Sequence, residues 1–169
     1  VTVDTIFQPA GRQDPRGSWR LAFLEFTMKL FDQQMKAALL GGDVSYDALR
    51  KQAFHNAAKR FWKRVAGELG LIKGQYELRS NLAGIAVSGE ITLHTDTLYM
   101  QLSQGALMQG RAQILYRGCD GRKDYVGHAN NFIEVGRLVD EREADRFIRT
   151  LKKMGGLLSD PVTGSRLAA

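Results

Sequence analysis

The segment from Tyr116 to Phe132, YRGCDGRKDYVGHANNF, gathers the chain's only cysteine, one of its three histidines and three cations. A thiol becomes a nucleophile when a neighbouring base takes its proton, so Cys119 and His128, oriented by an aspartate, form a conceivable catalytic pair. The local signatures of known cysteine nucleophiles are missing around Cys119, which reads instead as a small residue beside a turn. His94, Asp96 and His128 supply metal-ligand chemistry, and His94 and Asp96, two apart on a strand, project to one face. Their scatter carries no tight spacing motif, so no metal is expected. His55 falls on a helix and reads as a surface or boundary side chain.

The same segment supports a second chemistry. Arg117, Arg122 and Lys123, with Tyr116 and Tyr125 nearby, have the composition of a loop that grips phosphate and stacks a base. The glycines of RGCDGRK would let a ligand approach the backbone closely. The competing reading is a charged hairpin tip that discourages edge-to-edge pairing of sheets. Asn130 and Asn131 are turn formers that also have the groups to read a base edge, and turn formation is the simpler role. No nucleotide cofactor is implied, since GCDGRKDYVG lacks the phosphate-loop pattern and the helix that must follow it.

These residues need elements to hold them. Pro9, Gly11, Pro15 and Gly17 make residues 1–17 an extended lead-in. From Ser18, SWRLAFLEFTMKLFDQQMKAALL spaces Trp19, Ala22, Phe23, Phe26, Leu30, Ala37 and Leu40 mostly by three and four, and stops at Gly41-Gly42. Its apolar residues cover more than one face, which places this first helix at the centre or at a subunit contact. A second helix starts at Ser45, with Asp47 in its first turn and a stripe of Phe54, Ala58, Phe61, Val65 and Leu69. Lys59, Arg60 and Lys63 fall on the opposite side, with Gln52 and Asn56 alongside. That basic face is either a solvated surface or a phosphate contact.

From Gln75 the period changes to two. YELRS, GIAVSGEITLHTD, TLYMQLSQ, AQILYRG and KDYVGHA are short, rich in Tyr, Ile, Val, Leu and Thr, and punctuated by turn residues. They predict an antiparallel meander of four or five strands, the connections being too short for parallel crossovers. Asp120-Gly121 is the hairpin signal between the last two. A third helix begins at Asp140, with Glu143 at its third position, a stripe of Ala144, Phe147, Ile148 and Leu151, and Lys152-Lys153 before a glycine stop. Residues 157–169 read as a flexible tail. The expected fold class is α+β: two N-terminal helices, the meander and one C-terminal helix, in a single domain over residues 18–156.

Composition bounds what such a domain does. A chain of 169 residues can bury a core without disulfides, and one cysteine cannot make an internal one. No stretch approaches the roughly 20 apolar residues of a membrane helix, and the opening residues lack the order of a signal peptide. Cytoplasm is the expected location. The net charge of +6 is carried by the two ends, with no Lys or Arg between residues 81 and 110. A cationic balance of this kind suits nucleic acid, whose binding is dominated by phosphate neutralisation. The leading expectation is a non-enzymatic protein that binds nucleic acid, or works inside a nucleoprotein assembly, through Lys59, Arg60, Lys63, Arg117, Arg122, Lys123 and Tyr125. The alternative is a structural or adaptor subunit that docks a protein partner or a second copy through Trp19, Phe23, Phe26 and Phe31. An enzyme using Cys119 and His128 comes third.

Overall fold

The computed structural model describes residues 30–158 apart from 83, 85, 87–88 and 105–109. Helix α1 spans Gln33–Leu40, α2 Ala48–Glu68 and α3 Glu141–Met154, and a short 3-10 turn, Val135–Val139, leads into α3. Between α2 and that turn lie β1 (Tyr76–Asn81), β2 (Glu90–Thr95), β3 (Leu98–Gln104), β4 (Ala112–Gly118) and β5 (Asn131–Glu134). The five strands pair in chain order, every neighbour antiparallel. The fold is α+β, as the change of hydrophobic period predicts.

Each helix is bounded by chemistry visible in the sequence. Asp32, Asp47 and Asp140 are extended N-caps whose carboxylates accept from backbone N–H groups of the first turn. Asp47 therefore stands just before α2 rather than inside its first turn. Gly70 and Gly156 adopt positive φ and let Leu71 and Leu157 donate back to Ala66 and Lys152, closing the last turns of α2 and α3. Leu157 packs against the core. Residue 157, expected to open a flexible tail, is thus held against the core; residues 159–169 lie outside the described residues, as does the 1–17 lead-in.

Two expectations about the elements are corrected. The first helix does not run unbroken to Leu40, because Asp32 is extended and α1 begins after it. The expected start at Ser18 lies outside the described residues. The fifth strand is Asn131–Glu134, not KDYVGHA. Asp124 explains why: its carboxylate accepts from the N–H groups of Asp120, Val126 and Gly127, and it folds the 119–130 segment into a loop. Asn131, read as a turn residue, opens β5.

One face of the sheet packs on the helices. Ile91, Leu93, Leu98, Met100, Leu102 and Ile114 are wholly buried there against Phe54, Phe61, Trp62 and Val65 of α2. Trp62 also donates its indole N–H to the Ile91 carbonyl at 3.0 Å, tying α2 to β2 through the core. The stripe Phe54, Ala58, Phe61, Val65 and Leu69 is buried as read. His55 is also fully buried, contrary to its surface reading, with Nδ1 2.9 Å from Ser80 Oγ. The other face of the sheet carries the polar residues, and it positions the site.

Candidate functional site

Antiparallel register lines up three rows across the open face of the sheet. Glu77, His94, Tyr99 and Arg117 stand opposite one another in turn on β1 to β4. The next row is Arg79, Thr92, Gln101, Leu115 and Phe132, and the third is Asn81, Glu90, Ser103, Gln113 and Glu134. The two-residue turn Asp96-Thr97 sets the first row, and this is the sequence signal from which the pairing of His94 with Tyr99 is legible. The 119–130 loop folds back onto the start of these rows. Cys119 and Gly121 donate their N–H groups to Thr97 and Asp96, and His128 donates to Gly118.

Arg117 anchors that loop. Its guanidinium lies over the Tyr99 ring, 4.7 Å from the centroid, and its terminal nitrogens donate to the carbonyls of Tyr125 and Val126 and to Asn130 Oδ1. Gly127 is required beneath it: its φ is +59°, and a Cβ there would sit 2.7 Å from Arg117 Nε. Arg117 is 9% exposed, so it is spent on architecture rather than presented at a tip. Tyr116 faces the opposite way, packing edge-on against Phe147 of α3.

With the loop in place, a cleft of about 230 Å³ opens over His94. It is lined by the buried His94 and Thr92, the half-buried Tyr99 and Glu90, and the exposed Arg79, Asn81 and Tyr125. The His94 ring meets Tyr99 and Tyr125 edge to face, at centroid distances of 5.1 and 6.1 Å. The Tyr125 hydroxyl accepts from Arg79, which also pairs with Glu77 at 3.0 Å. Burial, aided by Arg79, pushes the His94 pKa below its ordinary value. At neutral pH the imidazole is uncharged.

Cys119 meets His94, not His128. Its Sγ lies 3.5 Å from His94 Nε2, while His128 sits over Gly118 with Nε2 3.5 Å from Asp120. Burial raises the Cys119 pKa as it lowers that of His94, so the pair rests as thiol and neutral imidazole. That is opposite to the activation a cysteine nucleophile needs. Among the described residues no three His, Cys, Asp or Glu side chains are grouped to hold a metal. Asp96, two residues beyond His94, pairs instead with Arg122.

The cations form a second feature. Arg122 donates to Asp96 and to the Gly74 carbonyl, Cys119 donates to Thr97, and Thr97 donates through Oγ1 to Gly155. These bonds draw four segments to one end of the molecule, so Lys73, Arg122, Lys123, Lys152 and Lys153 share it. Lys73, Lys123, Lys152 and Lys153 make no ion pair among the described residues, nor do Lys59 and Lys63 on α2. Arg60 is exposed but pairs with Asp32 and donates to Gln34. Lys73 and the α3 lysines were not among the expected contacts, because nothing local in sequence shows that their loops meet.

The aromatic first-helix surface is not supported where it can be described. Phe31 is 7% exposed and stacks on Phe61 at 5.1 Å, so it belongs to the core. Trp19, Phe23 and Phe26 lie outside the described residues. Comparison with protein families, with curated proteins and with solved structures finds no match to this chain.

Proposed function

We propose that this protein is a non-catalytic nucleic-acid-binding domain that contacts phosphates through Lys59 and Lys63 on α2 and through the basic end built from Lys73, Arg122, Lys123, Lys152 and Lys153. The observation that carries the reading is that Lys73, Lys123, Lys152 and Lys153, none of which forms an ion pair among the described residues, gather at one end beside a loop that presents an exposed tyrosine, Tyr125. Exposed, unpaired ammonium groups cost nothing to bring to a phosphate and release counterions when they arrive. Arg117 has no part in this contact, and Arg60 reaches phosphate only by leaving Asp32.

The test is binding to labelled single- and double-stranded DNA and RNA across a salt series, using protein freed of co-purified nucleic acid. Affinity should fall steeply with salt and be lost when Lys63, Lys73, Lys123 and Lys153 are changed to Glu. Absence of binding at low salt overturns the reading.

One observation favours a second reading, a subunit that docks a protein partner. Ala37, Ala38, Gly41, Val44 and Ala53 line an open groove between α1 and α2, and Tyr46 and Leu49 beside it are 73% and 85% exposed. Partner capture lost in Leu49→Asp, with nucleic-acid binding absent, would favour it.

A further inference from the structure

The geometry points to the cleft over His94 as a slot for one unstacked nucleobase, which makes single-stranded nucleic acid the ligand of this chain. The inference rests on the reading above and adds to it a place for the base and a choice of strand state.

The walls have the form a flat ring needs. Tyr99 is held rigidly, with Arg117 over its face and His94 at its edge. Tyr125 is 57% exposed, and its ring is held by the edge contact with His94 and the hydrogen bond from Arg79 alone, so it can swing to cover a guest. Base–aromatic stacking is tolerant of sequence and recurs wherever proteins bind unpaired strands.

The polar groups of the cleft separate a base from a phosphate. A phosphate wants donors alone, yet Glu90 lines the cleft and Glu77 stands opposite His94 in the first row. Glu90 accepts from Gln101 through one oxygen, and no described residue donates to the other. His94 Nδ1 likewise has no hydrogen-bond partner among the described residues, and His94 is 3% exposed. Glu90 accepts, Thr92 and Arg79 donate, and His94 Nδ1 accepts or donates according to its tautomer, a mixed set that matches the edge of a base. The carboxylates repel phosphate from the sheet, and the cations take it at the rim: Lys123 lies two residues from Tyr125 and is exposed. A duplex keeps its bases stacked inside and has none to offer.

The experiment follows backbone amide shifts of labelled protein during titration with the four nucleoside monophosphates, alongside anisotropy of a short single-stranded oligonucleotide and the matching duplex. Shifts should concentrate at residues 92–99 and 119–127. Tyr125→Ala should weaken single-strand binding roughly 5- to 150-fold, Tyr125→Phe should keep most of it, and the duplex should bind more weakly. If Tyr125→Ala changes nothing while reversal of the lysine charges abolishes binding, the slot is wrong and the phosphate reading stands. If monophosphates move the slot amides but oligonucleotide binding ignores salt, the slot stands and the phosphate reading falls. If neither probe binds, both fall.

Discussion

Cys119 Sγ lies 3.5 Å from His94 Nε2, and each side chain is only 3% exposed. Burial holds the thiol and the imidazole in their neutral forms, which makes the pair a pH-sensitive part of the core rather than a nucleophile. The unfolded chain protonates His94 near its ordinary pKa of 6.5, but the folded chain resists, so stability is lost as pH falls below 6.5. The unfolded chain ionises Cys119 near 9.0 before the folded chain does, so stability is also lost as pH rises past 9.0. Melting temperature against pH should therefore show both flanks, the acid one reduced in His94→Gln and the alkaline one in Cys119→Ser. Native Cys119 should also alkylate far more slowly than the denatured chain does.

Arg117 should behave as a structural residue. Arg117→Ala leaves the carbonyls of Tyr125 and Val126 without donors and removes the contact with Tyr99, at a cost of about 2 to 4 kcal/mol. Lys does not reproduce the planar fork, so Arg117→Lys should recover little of this. Gly127→Ala should resemble it, because its Cβ would strike Arg117. Denaturant titration measures the loss, and stability restored by Lys would contradict the account.

Phe31 and Trp62 test the core. Phe31→Ala should cost about 3 to 5 kcal/mol, as removal of a buried aromatic does. Trp62→Phe removes the indole hydrogen bond to the Ile91 carbonyl and should cost about 1 kcal/mol. A near-neutral Phe31→Ala would return that residue to the list of exposed contacts.

The lysines should act additively on the salt dependence of binding. Lys63→Ala and Lys123→Ala should each reduce the slope of log affinity against log salt by about 0.9 if each meets one phosphate. Arg117→Ala should leave the slope unchanged in the fraction that remains folded. A slope insensitive to both lysines would place the phosphate contact elsewhere.

Much of this protein is legible without its coordinates. The caps Asp140 and Gly156 and the 3.6-residue stripes of α2 and α3 are local signals, because capping and amphipathic burial act over one or two turns. The alternation in β2 and β3 was equally readable, since each strand meets the core on one side only. The segment after Cys119 misled because Asp-Gly resembles a hairpin turn, whereas Asp124 and Arg117 consume the backbone groups that a strand at 123–129 would need.

The sequence by itself determined the fold class, the buried stripe of α2 and the excess of positive charge, each a sum over residues close in the chain. Only the tertiary structure decided that Cys119 meets His94, that Arg117 is buried while Lys123 is not, and that Lys73 and Lys153 share an end with Arg122. Those relations join residues far apart in the chain. They depend on strand register and on loops held by single hydrogen bonds such as Arg122 to Gly74, and no local preference encodes which distant partner wins.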